Sequence, residues 1–354
     1  MTHSIITGTG CYIPPVRVPN RQFLENEFYQ ADGTKNPKAN EDIVNKLQEI
    51  TCIRERRYIE DDFTTSDMAY LAAENALEGI DREELDYIIV AQNLGDVKTD
   101  NITPDMVPTI AARVKHKLRI KNPYTVAYDI PFGCPGWLQG MITADYYIKS
   151  GDARKAMIIG AETLSRVADP HDVDCMIYSD GAGATVLEAS ENGGGVLAHV
   201  TRSDTYDNAY LLTLGHSYRP NRDGNELFVK MQGHDIYKYA VRTVPKVVKQ
   251  SLDKAGLTLS DVKKVLIHQA NQKMDEAILE RLYKLYKIDD IPEDIMPMTI
   301  SWLGNSSVAT LPTLLDLLQK GKLEGHNRLQ SGDIAVFASV GAGMNINSMV
   351  YQMH

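Results

Sequence analysis

Short apolar runs alternate along the chain with stretches in which apolar residues recur every three or four positions. The first pattern predicts buried strands and the second amphipathic helices. Strands are predicted at 86–90, 156–159, 264–267 and 334–338, and helices over 66–77, 137–149, 236–255, 273–286 and 310–320. This alternation predicts a layered α/β fold. Residues 25–45 are polar with little periodicity and read as an inserted loop.

The pattern repeats once along the chain. Leu-Asp-Tyr-Ile-Ile-Val-Ala-Gln at 85–92 matches Val-Lys-Lys-Val-Leu-Ile-His-Gln at 262–269. Each run leads to a glycine-containing turn that opens a helix: Phe132-Gly133-Cys134-Pro135-Gly136 in the first half, Leu303-Gly304-Asn305-Ser306-Ser307 in the second. Each helix is followed by Ser-Gly-Asp and another apolar strand. Four pieces in the same order predict an internal duplication, with halves at 1–188 and 189–354.

Composition narrows the function classes. The chain has 354 residues, 43% apolar and 24% charged, with a formal net charge of -10. That balance is ordinary for a globular enzyme and argues against non-specific nucleic-acid binding. Arg113, Lys115, Lys117, Arg119 and Lys121 form one local basic stretch, readable as a carrier-protein dock or as a solvated face. The four cysteines at 11, 52, 134 and 175 are too scattered for a zinc site or a disulfide scaffold. No leader pattern and no long apolar span is evident, so a reduced, cytoplasmic protein without metal or membrane is expected.

Candidate chemistry falls on the repeated turns. Proline suits the first helical position, which predicts Cys134 at the N-cap. There the positive end of the helix would stabilise a thiolate. The alternative is a small apolar residue filling a helix start. His268 follows a predicted strand directly, where open α/β folds place ligands. Asn305 would begin the helix that matches the cysteine helix. Singly, a hydrogen-bonded strand-end histidine and a capping asparagine are equally ordinary. On a duplicated frame, however, the three would converge near the centre of the molecule.

These residues resemble those of the β-ketoacyl-acyl-carrier-protein synthase III family. The likeness rests on the Cys134 turn, His268-Gln269-Ala270-Asn271, Gly304-Asn305-Ser306-Ser307, Tyr178-Ser179-Asp180-Gly181-Ala182-Gly183-Ala184, Ile53-Arg54-Glu55-Arg56-Arg57 and Gly341-Ala342-Gly343. The resemblance implies a five-layered α-β-α-β-α thiolase fold, internally duplicated, and a homodimer. It implies acyl transfer to Cys134 from a coenzyme A or acyl-carrier-protein thioester, then decarboxylative condensation with a malonyl-type thioester. His268 and Asn305 would hold the enolate. The backbone N–H groups of Cys134 and Ala342 would form the oxyanion hole, with no cofactor beyond the thioester substrates.

Two positions depart from the family pattern: Lys46 stands where well-known members stack a tryptophan on the coenzyme adenine, and Lys273 where an arginine is usual. Both are carried as substrate-binding candidates, and the departures favour a carrier-protein donor or a non-acetyl primer, as in secondary metabolism. A hydroxymethylglutaryl-CoA synthase type of reaction is the competing chemistry. It needs a carboxylate base, for which Asp96 is the candidate after the first-half strand. A non-catalytic partner subunit is the competing class.

Overall fold

A computed structural model describes residues 2–221 and 224–354. The first half contains β1 (His3–Tyr12), β2 (Val16–Pro19), α1 (Asn40–Thr51), β3 (Glu55–Tyr58), α2 (Thr65–Ala76), β4 (Tyr87–Ala91), α3 (Ile110–Lys117), β5 (Val126–Ile130), α4 (Gly136–Ser150), β6 (Lys155–Thr163) and β7 (Asp180–Ser190). The second contains β8 (Gly195–Ser203), α5 (Thr205–Asn208), β9 (Leu212–Gly215), β10 (Phe228–Met231), α6 (Gly233–Ala255), β11 (Val262–Ile267), α7 (Gln272–Leu285), α8 (Ile300–Leu303), α9 (Thr310–Gln319), β12 (Ile334–Gly341) and β13 (Asn345–Gln352). Each predicted strand and helix named above falls on one of these elements, displaced by a few residues at the ends.

Two mixed sheets carry the duplication. The first has strand order β1-β7-β6-β4-β5 and the second β8-β13-β12-β11. In both, a parallel pair, β4 with β6 and β11 with β12, is continued on one side by two antiparallel pairings, and in the first sheet β5 adds a second parallel pairing to β4. Strand for strand the orders correspond, with β5 added at the free edge of the first sheet.

Apolar residues assemble the layers. Helices α4 and α9 lie between the sheets, where Trp137, Leu138, Met141, Leu314 and Leu318 pack against Ile89 and Ile158 of one sheet and Leu266 and Phe337 of the other. Met68, Ala72 and Ala76 of α2, with Val114 of α3, cover the outer face of the first sheet. Val244, Val248 and Leu252 of α6, with Ile278 and Leu282 of α7, cover the outer face of the second. The result is the five-layered α-β-α-β-α arrangement of the thiolase fold. The central strands are buried on both faces, which explains why they read as continuous apolar runs.

One expectation is corrected. Residues 25–45 were read as loop, but α1 begins at Asn40. Its start is marked by Glu41 and Asp42 in the first turn, which suit the positive end of a helix. Ile43 and Val44 bury the helix against Phe23 and Phe28. With only two apolar positions buried early in the helix, its periodicity was too weak to see.

Candidate active site

The cysteine turn is built by close backbone packing. Gly133 has φ +64°, and a Cβ there would lie 2.8 Å from the Ala342 backbone nitrogen. A Cβ on Gly341 would lie 2.5 Å from the Cys134 nitrogen. Glycine is needed at both positions so that the 341–342 turn can lie directly against the cysteine turn.

The helix start differs from the expected one. Pro135, not Cys134, occupies the cap position, and α4 begins at Gly136. Cys134 therefore lies one residue outside the helix. Burial is the largest influence on its thiol and pushes it up to about 11. A nearby carboxylate, Glu162, pushes the same way, and a hydrogen bond donated by Ser307 Oγ to Sγ at 3.5 Å opposes them. Cys134 thus lacks the cap position expected to stabilise a thiolate, and burial favours the protonated thiol.

His268 follows β11 and is 3% exposed. Its backbone N–H donates to the Ala338 carbonyl at 2.9 Å. Its Nδ1 has no protein partner, and burial depresses the ring to about 4. It is therefore a neutral imidazole at ordinary pH. Gln269, beside it, points into the protein. Its Oε1 accepts from the Thr299 and Ile300 N–H groups and its Nε2 donates to the Pro297 carbonyl, which fixes the segment leading to Asn305.

Asn305 does not begin a helix as expected. Its N–H donates to the Ile177 carbonyl at 3.0 Å, and its carbonyl accepts from the Ser179 N–H at 2.8 Å. A single 3-10 turn over 307–309 separates it from α9. Asn305 Oδ1 accepts from the Ser307 N–H at 2.9 Å, so the amide orientation is fixed.

Cys134, His268, Asn305 and Ala342 line one cavity of about 230 Å³, together with Asn93, Glu162, Tyr178 and Ser307. The rest of its wall is largely apolar, with Leu94, Leu164, Leu212, Leu214 and Val229. A second, wider space of about 510 Å³ reaches outward from it. The two share Met231, Ile236, Ala270, Met274 and Asn305, so they adjoin, and the outer one forms a channel on the surface side of the cavity. Lys46 lines the outer channel, whereas Lys273 is exposed on α7 and does not.

Sequence reading missed Ser307, Asn93 and Glu162. Ser307 stood inside a motif already marked, and its φ of +54° shows how tightly that turn is wound. Glu162 lies at the end of β6 and is fully buried, in a run with no periodic signal to single it out.

Other candidates fall outside the cavity. Asp96 accepts from Ser66 N–H, Ser66 Oγ and Arg113, and lines a separate outer groove. It is not placed to act as a base on this site. The basic stretch is largely neutralised from within: Arg113 pairs with Asp96 and Asp105, Lys117 with Asp67, and Lys115 donates to two backbone carbonyls. Arg56, from the 53–57 motif, is fully buried and donates to the Val18 and Met176 carbonyls and to Asn20 Oδ1. That is a structural role. Among the described residues, no group of three or more His, Cys, Asp or Glu could hold a metal ion, and no helix is long and apolar enough to cross a membrane.

A cysteine, a neutral histidine and an oriented asparagine in one largely apolar cavity of a duplicated thiolase fold define an acyl-transferring condensing enzyme. Residues 128–205 match the family model of 3-oxoacyl-[acyl-carrier-protein] synthase III, and residues 252–353 match that of its C-terminal region. The chain belongs to the 3-oxoacyl-acyl-carrier-protein synthase III family. It is similar to the synthase III of Aquifex aeolicus VF5, at 28% identity over 99% of both chains and a TM-score of 0.79. It is also similar to the synthase III of Thermus thermophilus, at 28% identity over 99% of both chains and a TM-score of 0.81. The synthase III of Pseudomonas aeruginosa PAO1 matches at 25% identity over 99% of this chain and 98% of that one, with a TM-score of 0.81.

Proposed function

We propose that Cys134 is the nucleophile that takes an acyl group from a coenzyme A or carrier-protein thioester, and that His268 and Asn305 hold the enolate formed when a malonyl-type thioester loses carbon dioxide. The observation that carries this reading is the convergence of the three side chains, from three separate elements, on one cavity at the end of one channel.

The chemistry follows from the environments. Sγ attacks the thioester carbonyl, the bond to the departing sulfur breaks, and an acyl-Cys134 remains. The N–H groups of Cys134 and Ala342 are the candidates to receive the oxyanion, since the glycines at 133 and 341 let the two turns touch. Decarboxylation of the extender then releases carbon dioxide and leaves an enolate. A neutral His268 has one ring N–H to give to the enolate oxygen, and an imidazole of such low basicity does not take a proton instead. Asn305 has its Oδ1 already occupied by the Ser307 N–H, which leaves its Nδ2 as the second donor. The carbanion attacks the acyl-Cys134 carbonyl, and the C–S bond breaks to release the β-keto product. The apolar wall of Leu94, Leu164, Leu212 and Leu214 fits an alkyl chain on the primer.

The same reading takes Lys46 as a contact for the phosphate-bearing end of the donor, the protein as a cytoplasmic homodimer, and the two halves as 1–188 and 189–354, a boundary that falls within the last residues of β7. The competing non-decarboxylating chemistry gains no support from Asp96, which is committed elsewhere. The test is incubation with a panel of acyl-CoA and acyl-carrier thioesters, read by intact and peptide mass spectrometry with Cys134→Ala as control. An acyl adduct on Cys134 names the donor class, and addition of malonyl thioester should then yield the condensed product. A folded, reduced protein that takes no acyl group from any donor would rule the reading out.

A further inference from the structure

Acyl transfer requires the Cys134 proton to leave. Burial holds that proton on the sulfur, so a nearby acceptor is needed. His268 is pushed down to about 4 and is a poor one. Ser307 Oγ donates to the sulfur and so offers its proton the wrong way. Asp180, at the start of β7, is buried and accepts from Ser165 N–H, Ser165 Oγ and Ile59 N–H.

Glu162 is different. It is fully buried at the end of β6 yet lines the same cavity as the thiol. Its Oε2 accepts from Asn93 Nδ2 at 2.6 Å and its Oε1 from the Asn93 N–H at 3.4 Å. Asn93 Oδ1 in turn accepts from the Gly133 N–H at 2.9 Å, next to Cys134. One side chain therefore ties the carboxylate to the nucleophile turn and fixes both at the cavity wall. Burial raises the carboxyl to about 7, against the hydrogen bonds from Asn93 and the adjoining backbone and with a smaller push from Asp180. The titratable groups that share its cavity are Cys134 from the β5–α4 turn, the Tyr178 phenol and the His268 ring, and Asp180 of β7 acts on it from outside the cavity lining.

We propose that Glu162 accepts the proton of Cys134 during acyl transfer and returns it to the departing thiol, with Asn93 holding the carboxylate and the nucleophile turn in register. The steps balance. The Sγ–H proton passes to the Glu162 carboxylate, directly or through one water in the cavity, as the Sγ–C bond forms. Collapse of the tetrahedral adduct breaks the C–S bond to the coenzyme or carrier. That thiolate takes the proton from the Glu162 carboxylic acid, and the site returns to its starting charge. The resting carboxylate opposes a thiolate beside it, and moving the proton removes that opposition. The proposal rests on the reading that Cys134 is acylated.

The test is the pH dependence of Cys134 alkylation by iodoacetamide, read by peptide mass spectrometry, which needs no thioester. In the wild type the rate should rise with an inflection near the carboxyl's own titration, level off, and rise again as the thiol itself ionises. Glu162→Gln should lose the lower inflection, with the rate below pH 8 falling by about tenfold or more. At the alkaline end the variant should match or exceed the wild type, because the opposing charge is gone. Glu162→Asp should recover part of the lower limb. An unchanged profile in Glu162→Gln, or a uniform fall at every pH, would overturn the proposal, the second by showing a purely structural role. If the profile changes as expected but no thioester acylates the wild type, the proton transfer from thiol to Glu162 stands and the acylation reading fails.

Discussion

The two repeated turns share a sequence pattern and take different forms. In the first half, the chain turns at Gly133, presents Cys134, and enters α4 at once. In the second, it turns at Gly304 with φ +67°, lays Asn305 beside Tyr178 as an isolated parallel bridge, and passes through a 3-10 turn before α9. On the proposed roles, a nucleophile needs open space in front of its sulfur, which the short first turn leaves. A hydrogen-bond donor needs a fixed amide, and in the second turn the Ser307 N–H holds Asn305 Oδ1. The preceding strands diverged in the same way. Gln92 and Gln269 correspond, and both brace a neighbouring backbone: Gln92 Oε1 accepts from the Gly95 N–H and Gln269 Oε1 from the Thr299 N–H. The residue before each glutamine is Ala91 in one half and His268 in the other. The brace is common to the two halves, and the position next to it differs.

The largest expected effects separate the halves by reaction step. Cys134→Ala should abolish acyl-enzyme formation and lower condensation by about 10³-fold or more. His268→Ala and Asn305→Ala should leave acyl-Cys134 formation within about threefold of wild type while lowering malonyl decarboxylation by about 10²-fold or more. Single-turnover acylation and release of labelled carbon dioxide measure the two steps apart. If the second-half variants failed equally in both steps, the division of labour between the turns would be wrong.

Glycine substitutions at the two turns sharpen the comparison. A Cβ at 133 would press on the Ala342 backbone, and one at 304 would lie 2.9 Å from Arg56 Cβ. Both positions also have positive φ, which costs a non-glycine residue about 1–3 kcal/mol. Gly133→Ala should therefore lower acyl transfer by about 10- to 100-fold with a modest loss of stability, since the clash falls on the Ala342 turn proposed to receive the oxyanion. Gly304→Ala should act mainly on stability, by about 2–4 kcal/mol, because Arg56 is pinned by hydrogen bonds and cannot withdraw. Denaturant melts alongside acylation rates distinguish the two.

Why these residues were legible, and others not, is a matter of local against distant causes. The strands of both sheets showed because burial on two faces makes them continuously apolar. Cys134, His268 and Asn305 showed because each sits at a break in such a pattern, and because the breaks recur at matching places. The state of the thiol did not show. A helix start is visible in sequence, but the burial that raises the thiol comes from walls supplied by residues such as Leu94, Leu212 and Val340, far apart in the chain. Glu162 was hidden for the same reason. Within β6 it is one more residue of a buried strand, and only the fold brings it to Asn93 and the cysteine turn. The helix α1 was missed because its apolar face is narrow and its partners, Phe23 and Phe28, precede it in an irregular segment.

The histidine's burial predicts a pH-dependent stability that Ala91, its first-half counterpart, cannot have. The ring is depressed from 6.5 to about 4 in the folded protein. Between those values the unfolded chain binds the proton and the folded chain does not, so stability falls as pH drops through this window. The contribution is fully present above the unfolded value and amounts to roughly 3 kcal/mol. Glu162 and Asp180 have raised carboxyls and act in the opposite direction, favouring the fold as pH falls. The histidine's share is therefore read as a difference. Unfolding free energies of wild type and His268→Gln, followed from pH 7 to pH 4, should converge as the wild type loses its advantage. A constant gap would mean that the ring stays accessible to protons in the folded state.

The smallest effect concerns the insert between β1 and α2, whose helix is far longer than the short α5 between β8 and α6. Helix α1 carries Lys46 to the rim of the channel, while Lys273, on α7, points to solvent. Lys46 pairs with Glu49 at 3.1 Å, but both side chains are about 60% exposed, and such a pair holds its partner weakly. Lys46 is thus free to turn toward an anionic group at the channel mouth. Lys46→Ala should raise KM for a coenzyme A thioester by about two- to fivefold and leave kcat unchanged, with the difference shrinking as salt is added. Lys273→Ala should change neither by as much as about twofold, since it meets no channel surface. Equal effects at the two lysines would mean that the donor approaches across α7 as well. The channel rim would then extend beyond the first-half insert, and the asymmetry between the halves would be confined to the turns themselves.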